Sequence, residues 1–278
     1  MTVRERTRAP RASHGRRRAG LHAGSVALAV ATVLAQIAYP LTEGEPLRLL
    51  TIATVLLFAA ASVLHAVASR GPRWGLGLLV VAGGIGLAAE SVGVRTGLPF
   101  GDYSYADTLG PKLLDVPVIV PLAWVMMAYP SLLLGRRLSR AAARRGRTRT
   151  PSGSVTVATG ALCLAAWDLF LDPQMVAAGH WAWHDPHPAL PGVPGVPVSN
   201  YLGWLLVAFV MVAALHVLLP ARPRASEDVP GALLAWTWAG SVLGNAVFFD
   251  RPAVAVWGGA AMGVVVVPYL YSWWDGRP

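Results

Sequence analysis

Glu90 and Asp168 are the residues whose setting most suggests chemistry. Each has apolar sequence on both sides and lies near the end of a segment long enough to enter a bilayer. An ionisable side chain so placed is costly and marks a functional site by default. Apolar surroundings disfavour a charged carboxylate, and a carboxylic acid that keeps its proton can deliver it to a substrate. Glu90 and Asp168 are therefore the leading candidates for a general acid. Asp172 follows Asp168 by one turn and shares its face if the helix extends that far. Pro173 disfavours helix at residue 172, so capping the following loop is the alternative for Asp172. The non-catalytic reading of all three acids is pairing with Arg95, Lys112 or Arg251, or with loop N–H groups.

The two acids head matching frames. Glu90, Gly101, Tyr103 and Tyr105 recur 78 residues later as Asp168, Gly179, Trp181 and Trp183. Val116-Pro117-Val118 and Trp124 recur 80 residues later as Val196-Pro197-Val198 and Trp204, so the second loop is two residues longer. One site built from two related halves is the expectation, with one acid protonated and the other ionised. Tyr103, Tyr105, Trp124, Trp181, Trp183 and Trp204 could line a pocket for a flat apolar ligand and shield a developing cation with their π faces. An interfacial aromatic belt would use the same residue types. Asn200 could cap the helix it opens or orient a water. His180, His184 and His187 are close in sequence, but Pro186 and Pro188 break the helix that would align them as ligands. No metal site is expected.

The elements that position these residues are membrane helices. Of the 278 residues 55% are hydrophobic and 13% charged, against about 25% charged in a soluble domain. Eight apolar runs fall at 22–41, 47–69, 74–94, 114–135, 152–171, 199–219, 230–249 and 252–272, each near the 20 or so residues a crossing needs. The expected fold is an all-α polytopic bundle of about eight transmembrane helices. Spans 3–4 and 5–6 are expected to form a parallel internal repeat, related by an axis along the membrane normal, the alternative being a chance match of residues common at membrane edges. Residues 1–20 read as a disordered basic arm, and 21–278 as a single transmembrane domain. The third span is glycine-rich, which allows close helix approach. Pro121 and Pro130 should kink or break the fourth. The 136–149 segment reads as an arginine-rich linker. The loops 95–113 and 172–198 are rich in Gly, Pro and aromatics and are expected to fold back over the helix ends as a cap.

A net charge of +9 taken alone points to nucleic acid, but nineteen of the 23 basic residues fall on one side of this topology. That asymmetry is the positive-inside signature. It makes the protein a multi-pass cell-membrane protein with both termini cytoplasmic and argues against a nucleic-acid partner. The first apolar run is too long for a cleaved signal and reads as a retained anchor. The lone Cys163 has no intrachain disulfide partner. One lysine among the basic residues, the rest arginine, suggests a GC-rich bacterial genome. Phosphate loop, dinucleotide fingerprint and nucleophile elbow are all absent.

The run Gly97-Leu-Pro-Phe-Gly101-Asp-Tyr103-Ser-Tyr105, continuing through Leu109-Gly-Pro to Val116-Pro117, resembles the membrane carotenoid biosynthesis proteins of the CruF type, which are carotenoid hydratases. So does Asp168 with Asp172-Pro173, Gly179-His-Trp181-Ala-Trp183, Val196-Pro197 and Asn200-Tyr-Leu-Gly203-Trp204. The match covers about residues 85–210. The spacing from Asp168 to its aromatics is also similar to that of the small membrane lycopene cyclases. The resemblance implies a carotenoid substrate ending in an isopropylidene group, which Glu90 or Asp168 protonates. Water then captures the tertiary cation, with no cofactor. Membrane lipid and other carotenoid-pathway enzymes are the implied partners. Capture by a neighbouring double bond would instead make the chain an end-group cyclase. A proton- or ion-coupled transporter is the reading outside enzymes, because intramembrane acids also bind protons and cations.

Overall fold

The computed structural model describes residues 9–222 and 225–274. Its helices are α1 (Ala9–Ala38), α2 (Gly44–Arg70), α3 (Pro72–Thr96), α4 (Ile119–Arg144), α5 (Gly153–Ala177), α6 (Val198–Leu218), α7 (Asp228–Leu243) and α8 (Pro252–Trp274). A five-residue π turn, Gly244–Phe248, continues α7. Among the described residues, eight helical segments are long and apolar enough to cross a membrane. Long apolar runs leave helix as the element that satisfies every backbone group internally in hydrocarbon. The helix α1 begins at Ala9, inside the stretch expected to be a disordered arm; residues 1–8 of that arm lie outside the described residues.

The central helix is α4, the most enclosed of the eight, packed against α2, α3, α5, α6, α7 and α8. It reaches its neighbours closely through small residues. A Cβ on Gly135 would lie 2.2 Å from the Thr156 carbonyl oxygen of α5, and one on Gly160 would lie 3.0 Å from the Ser131 carbonyl oxygen. Helix runs through Pro130. The missing proline N–H frees the carbonyl of Met126, and Ser62 of α2 donates its hydroxyl to that oxygen at 3.1 Å. Pro121 lies in the first turn, where no intrahelical bond is lost.

The expected linker 136–149 is corrected by the structure: its first nine residues prolong α4. Arg136 donates to the carbonyl oxygens of His216 (3.2 Å) and Leu219 (2.5 Å) at the end of α6. Arg137 and Arg140 pair with Glu227 at 3.2 and 2.7 Å. Guanidinium groups cap carbonyls that a helix C-terminus leaves open, so these arginines dock rather than float.

At the other end of the bundle the two long loops form a cap. Strand β1 (Tyr103–Tyr105) pairs antiparallel with β4 (Trp181–Trp183), in the register Tyr103↔Trp183, Ser104↔Ala182, Tyr105↔Trp181. A hairpin follows in each loop. In the first, β2 (Lys112–Leu113) pairs with β3 (Val116–Pro117); in the second, β5 (Ala189–Leu190) pairs with β6 (Val193–Pro197). The two extra residues are absorbed in the second hairpin, where an irregularity falls at Ala189/Leu190. The β1–β4 register is what a two-fold axis between the repeats requires. Exchanging Tyr103 with Trp181 and Tyr105 with Trp183 turns one end of the ladder into the other. The same exchange turns the α3–α6 contact into α5–α4, and both contacts are made.

Candidate active site

The site begins with α3. Glu90 sits one and a half turns before its end and is 4% exposed. Its carboxyl group takes three donors. Tyr103 and Tyr105 give their hydroxyls to Oε2 at 2.6 and 2.8 Å, and Trp124 gives its indole N–H to Oε1 at 2.9 Å. The two tyrosines are on alternate positions of β1 yet reach the same oxygen, because the loop folds back onto the helix that carries the acid. Two glycines make the approach possible. A Cβ on Gly86 would stand 2.7 Å from the Trp124 ring, and one on Gly93 would stand 2.9 Å from the Tyr103 hydroxyl. Burial, then the charge of Glu90, pushes both phenol groups above their ordinary pKa, so they stay neutral donors.

The second half is built differently. The helix α5 continues through Pro173 to Ala177, so Asp172 faces inward with Asp168 instead of capping the loop. Asn200 does not cap α6, which starts at Val198. Its amide nitrogen donates to Asp168 Oδ2 at 2.8 Å and also, at close range, to Asp172 Oδ2. Trp181 donates its indole N–H to Asp172 Oδ1 at 3.0 Å. Two carboxyl groups on one amide nitrogen repel each other unless a proton lies between them. Asp168 is fully buried, and its Oδ1 has no hydrogen-bond partner among the described residues.

The halves meet across one cavity of about 50 Å³, whose wall includes Glu90, Tyr103, Tyr105, Trp124, Asp172, Trp181, Trp183, Asn200 and Trp204. The structure thus brings nine of the ten residues singled out in the sequence onto one surface. Asp168 stands behind it, reached through Asn200. Trp124 and Trp204, equivalent in the two frames, stack on each other with centroids 3.8 Å apart and planes 13° from parallel. Contact between equivalent residues is what a two-fold relation of the halves requires, and the Ser104–Ala182 pair meets the same requirement. Trp183 holds the first loop by donating to the Phe100 carbonyl at 2.9 Å.

The cations considered as partners for the acids are engaged elsewhere. Arg95 pairs with Asp115 at 2.9 Å, and Lys112 with Asp107 at 2.6 Å. Arg251 lies over the Phe249 ring at 5.6 Å. The loop histidines go to separate partners: His180 to Thr108 at 2.8 Å, His184 to Asp102 at 3.2 Å and His187 to Asp185 at 3.3 Å. Burial lowers the His180 pKa and keeps that ring neutral. A different trio, His22, His65 and Asp228, converges at the opposite end of the bundle. Sequence spacing did not single out Thr51, Phe100, Leu171 and Met175, which also line the cavity. Thr51, Leu171 and Met175 are ordinary helix residues, and Phe100 lies within the Gly97–Gly101 run but outside the repeat frame.

Fold and site together define a polytopic α-helical membrane protein with carboxyl groups opening onto an aromatic chamber at one end of its bundle. The family model for the carotenoid biosynthesis protein family matches residues 50–270, and the chain belongs to that family. Bisanhydrobacterioruberin hydratase of Haloarcula japonica is 37% identical over 162 residues, covering 53% of this chain and 50% of that protein. The chain therefore spans about half the length of this curated relative. No solved structure matches it.

Proposed function

We propose that this chain is a carotenoid hydratase, a hydro-lyase that adds water across the terminal isopropylidene double bond of a long polyene to give a tertiary alcohol. The observation that carries this reading is the convergence of Glu90 and Asp172 on one aromatic cavity, in a family devoted to carotenoid biosynthesis. The name of the Haloarcula relative supports the hydratase outcome over cyclisation or transport.

The geometry divides the roles. Glu90 receives three donors and faces no acceptor that needs its proton, the pattern of an ionised carboxylate. Asp172, held against Asp168 by Asn200, is the proton donor, and Asp168 is the reservoir behind it. Asp172 protonates the alkene carbon, leaving a tertiary cation. The negative charge of Glu90 and the faces of Trp124, Trp181, Trp183 and Trp204 steady that cation. A water adds to it, and its surplus proton returns to the aspartate pair. The sum is alkene plus water giving alcohol, with no change of overall oxidation state and no redox cofactor. The chamber has room for one or two waters at about 30 Å³ each. An end group therefore enters as the flexible Leu171 and Met175 side chains move aside.

On this reading both termini and the arginine-rich α4–α5 turn are cytoplasmic and the cap is outside, which the arginine asymmetry supports. The bilayer delivers the substrate, and other carotenoid-pathway enzymes supply it. Residues 21–278 act as one domain. Expression in a host that accumulates a polyene with isopropylidene ends tests the function: mass spectrometry should find pigment heavier by one water. A pigment unchanged in mass but cyclised would replace the hydratase with a cyclase.

A further inference from the structure

A second cavity, of about 150 Å³, lies beside the first among α1, α2, α5, α7 and the π turn. Thr51, Val55, Leu171 and Met175 line both. Much of its wall is apolar, Phe58, Trp167 and Phe170 among it, yet it also carries three polar atoms left without partners. These are Thr54 Oγ1, Thr237 Oγ1 and Asn245 Oδ1, on residues 8%, 5% and 1% exposed, and none has a hydrogen-bond partner among the described residues. A threonine in a membrane helix usually returns its hydroxyl to the carbonyl four residues back. Thr32, Thr51, Thr96, Thr156 and Thr159 all do so. Thr54 and Thr237, which line the cavity, forgo that bond. Asn245 spends its amide nitrogen on the Ser241 carbonyl at 2.9 Å and leaves its oxygen free. Unpaired polar groups at membrane depth are costly, so three around one space mark a polar occupant.

We infer that this cavity is a water chamber that feeds the nucleophile to the cation formed next door. The inference rests on the hydratase reading. Its volume holds about five waters at roughly 30 Å³ each, and Thr54, Thr237 and Asn245, with Gln36, Tyr39 and Gln174, put polar side chains on its wall, the kind of partner a buried water needs. Both cavities lie at the cap end, since the second is walled by the last turns of α1 and α5, the first turns of α2 and the end of α7. Tyr39, on its wall, is hydrogen-bonded to Thr51 at 3.2 Å, which puts a hydroxyl pair at the join.

The test is a product partition. A tertiary cation that meets no water loses a proton from a methyl carbon back to the carboxylate and leaves as a double-bond isomer of unchanged mass. The full-length protein in lipid nanodiscs is given a polyene with isopropylidene ends, and alcohol and isomer are separated by mass spectrometry and NMR. Thr237→Val and Thr54→Val keep side-chain shape and remove the hydroxyl; Asn245→Leu removes the amide. The double variant Thr237→Val/Asn245→Leu should form alcohol at least tenfold more slowly, with the isomer-to-alcohol ratio raised at least tenfold and KM for the polyene unchanged. Continued isomer formation shows that the acid site is folded and working. An unchanged ratio, or a raised KM with kcat retained, overturns the chamber, the latter by showing that the cavity holds the polyene. A wild-type protein that makes rings and no alcohol fails earlier, at the hydratase reading itself.

Discussion

Replacing Asp172 by asparagine separates its chemistry from its packing. The side chain keeps its size, and the amide oxygen can still accept the Trp181 N–H, which stands at 3.0 Å from Oδ1. The new amide nitrogen, however, faces the amide nitrogen of Asn200, now donor against donor. Asn200 turns over to accept, and Asp168 loses its 2.8 Å bond. Leaving one buried polar group unpaired costs about 1–3 kcal/mol of stability, tolerable in a bundle of eight packed helices. The catalytic loss is larger in kind. An amide has no proton to give, and removing a general acid slows a reaction by roughly a hundredfold to ten-thousandfold, or about 2.7–5.4 kcal/mol at about 1.36 kcal/mol per tenfold. The assay is pigment conversion per unit of folded protein, with membrane protein quantified by immunoblot and its thermal unfolding followed in detergent. The expectation is a modest fall in unfolding temperature and a loss of at least about a hundredfold in turnover. A folded Asp172→Asn protein within tenfold of wild-type turnover would refute the role of Asp172 as proton donor.

Other consequences can be checked in the same system. Glu90→Gln should fold, because the Tyr103 and Tyr105 hydroxyls can rotate to accept from the amide, but removing the charge beside the cation should lower kcat by about a hundredfold, the usual size of a lost electrostatic contact to a transition state. Gly86→Ala pushes a methyl into Trp124, 2.7 Å away; overpacking of this kind costs about 1–3 kcal/mol, and indole fluorescence should report the displaced ring. Asp107→Asn is the control: the side chain is exposed, its pKa is lowered by the hydrogen bond from Lys112, and stability should move by no more than about 0.5 kcal/mol with conversion unchanged. Reporter fusions at Arg145 and His187 should read opposite sides of the membrane, and the same side for both would sink the topology.

The helices were legible because twenty-residue apolar runs have one solution in a bilayer. The repeat was legible because the acid, glycine, paired aromatics, Val-Pro and tryptophan must each keep their place for two halves to close on one axis. Gly101 and Gly179 recur because both take positive φ, 94° and 72°, where a side chain is strained. The functional partition was less legible. The matching frames lead to an expectation of one protonated and one ionised acid, but not to the observed arrangement, in which Glu90 has three donors of its own and Asp168 is paired with Asp172 through Asn200. Trp181 of β4 meets α5 at Asp172, one turn nearer the cap than the frame position Asp168, whereas Tyr103 and Tyr105 of β1 reach Glu90 itself. No spacing rule encodes such a reach. Nor does sequence reveal which threonines decline their usual backbone bond, since Thr51 and Thr54 sit one turn apart in identical surroundings of composition.

The most direct measurement of the central claim uses purified protein, a polyene ending in an isopropylidene group and water enriched in heavy oxygen. Wild-type protein should give a tertiary alcohol carrying one heavy oxygen at the terminal branched carbon, and Glu90→Gln and Asp172→Asn should each give almost none. A ring-closed product without heavy oxygen, or alcohol formation that survives both substitutions, would contradict hydration by these two carboxyl groups.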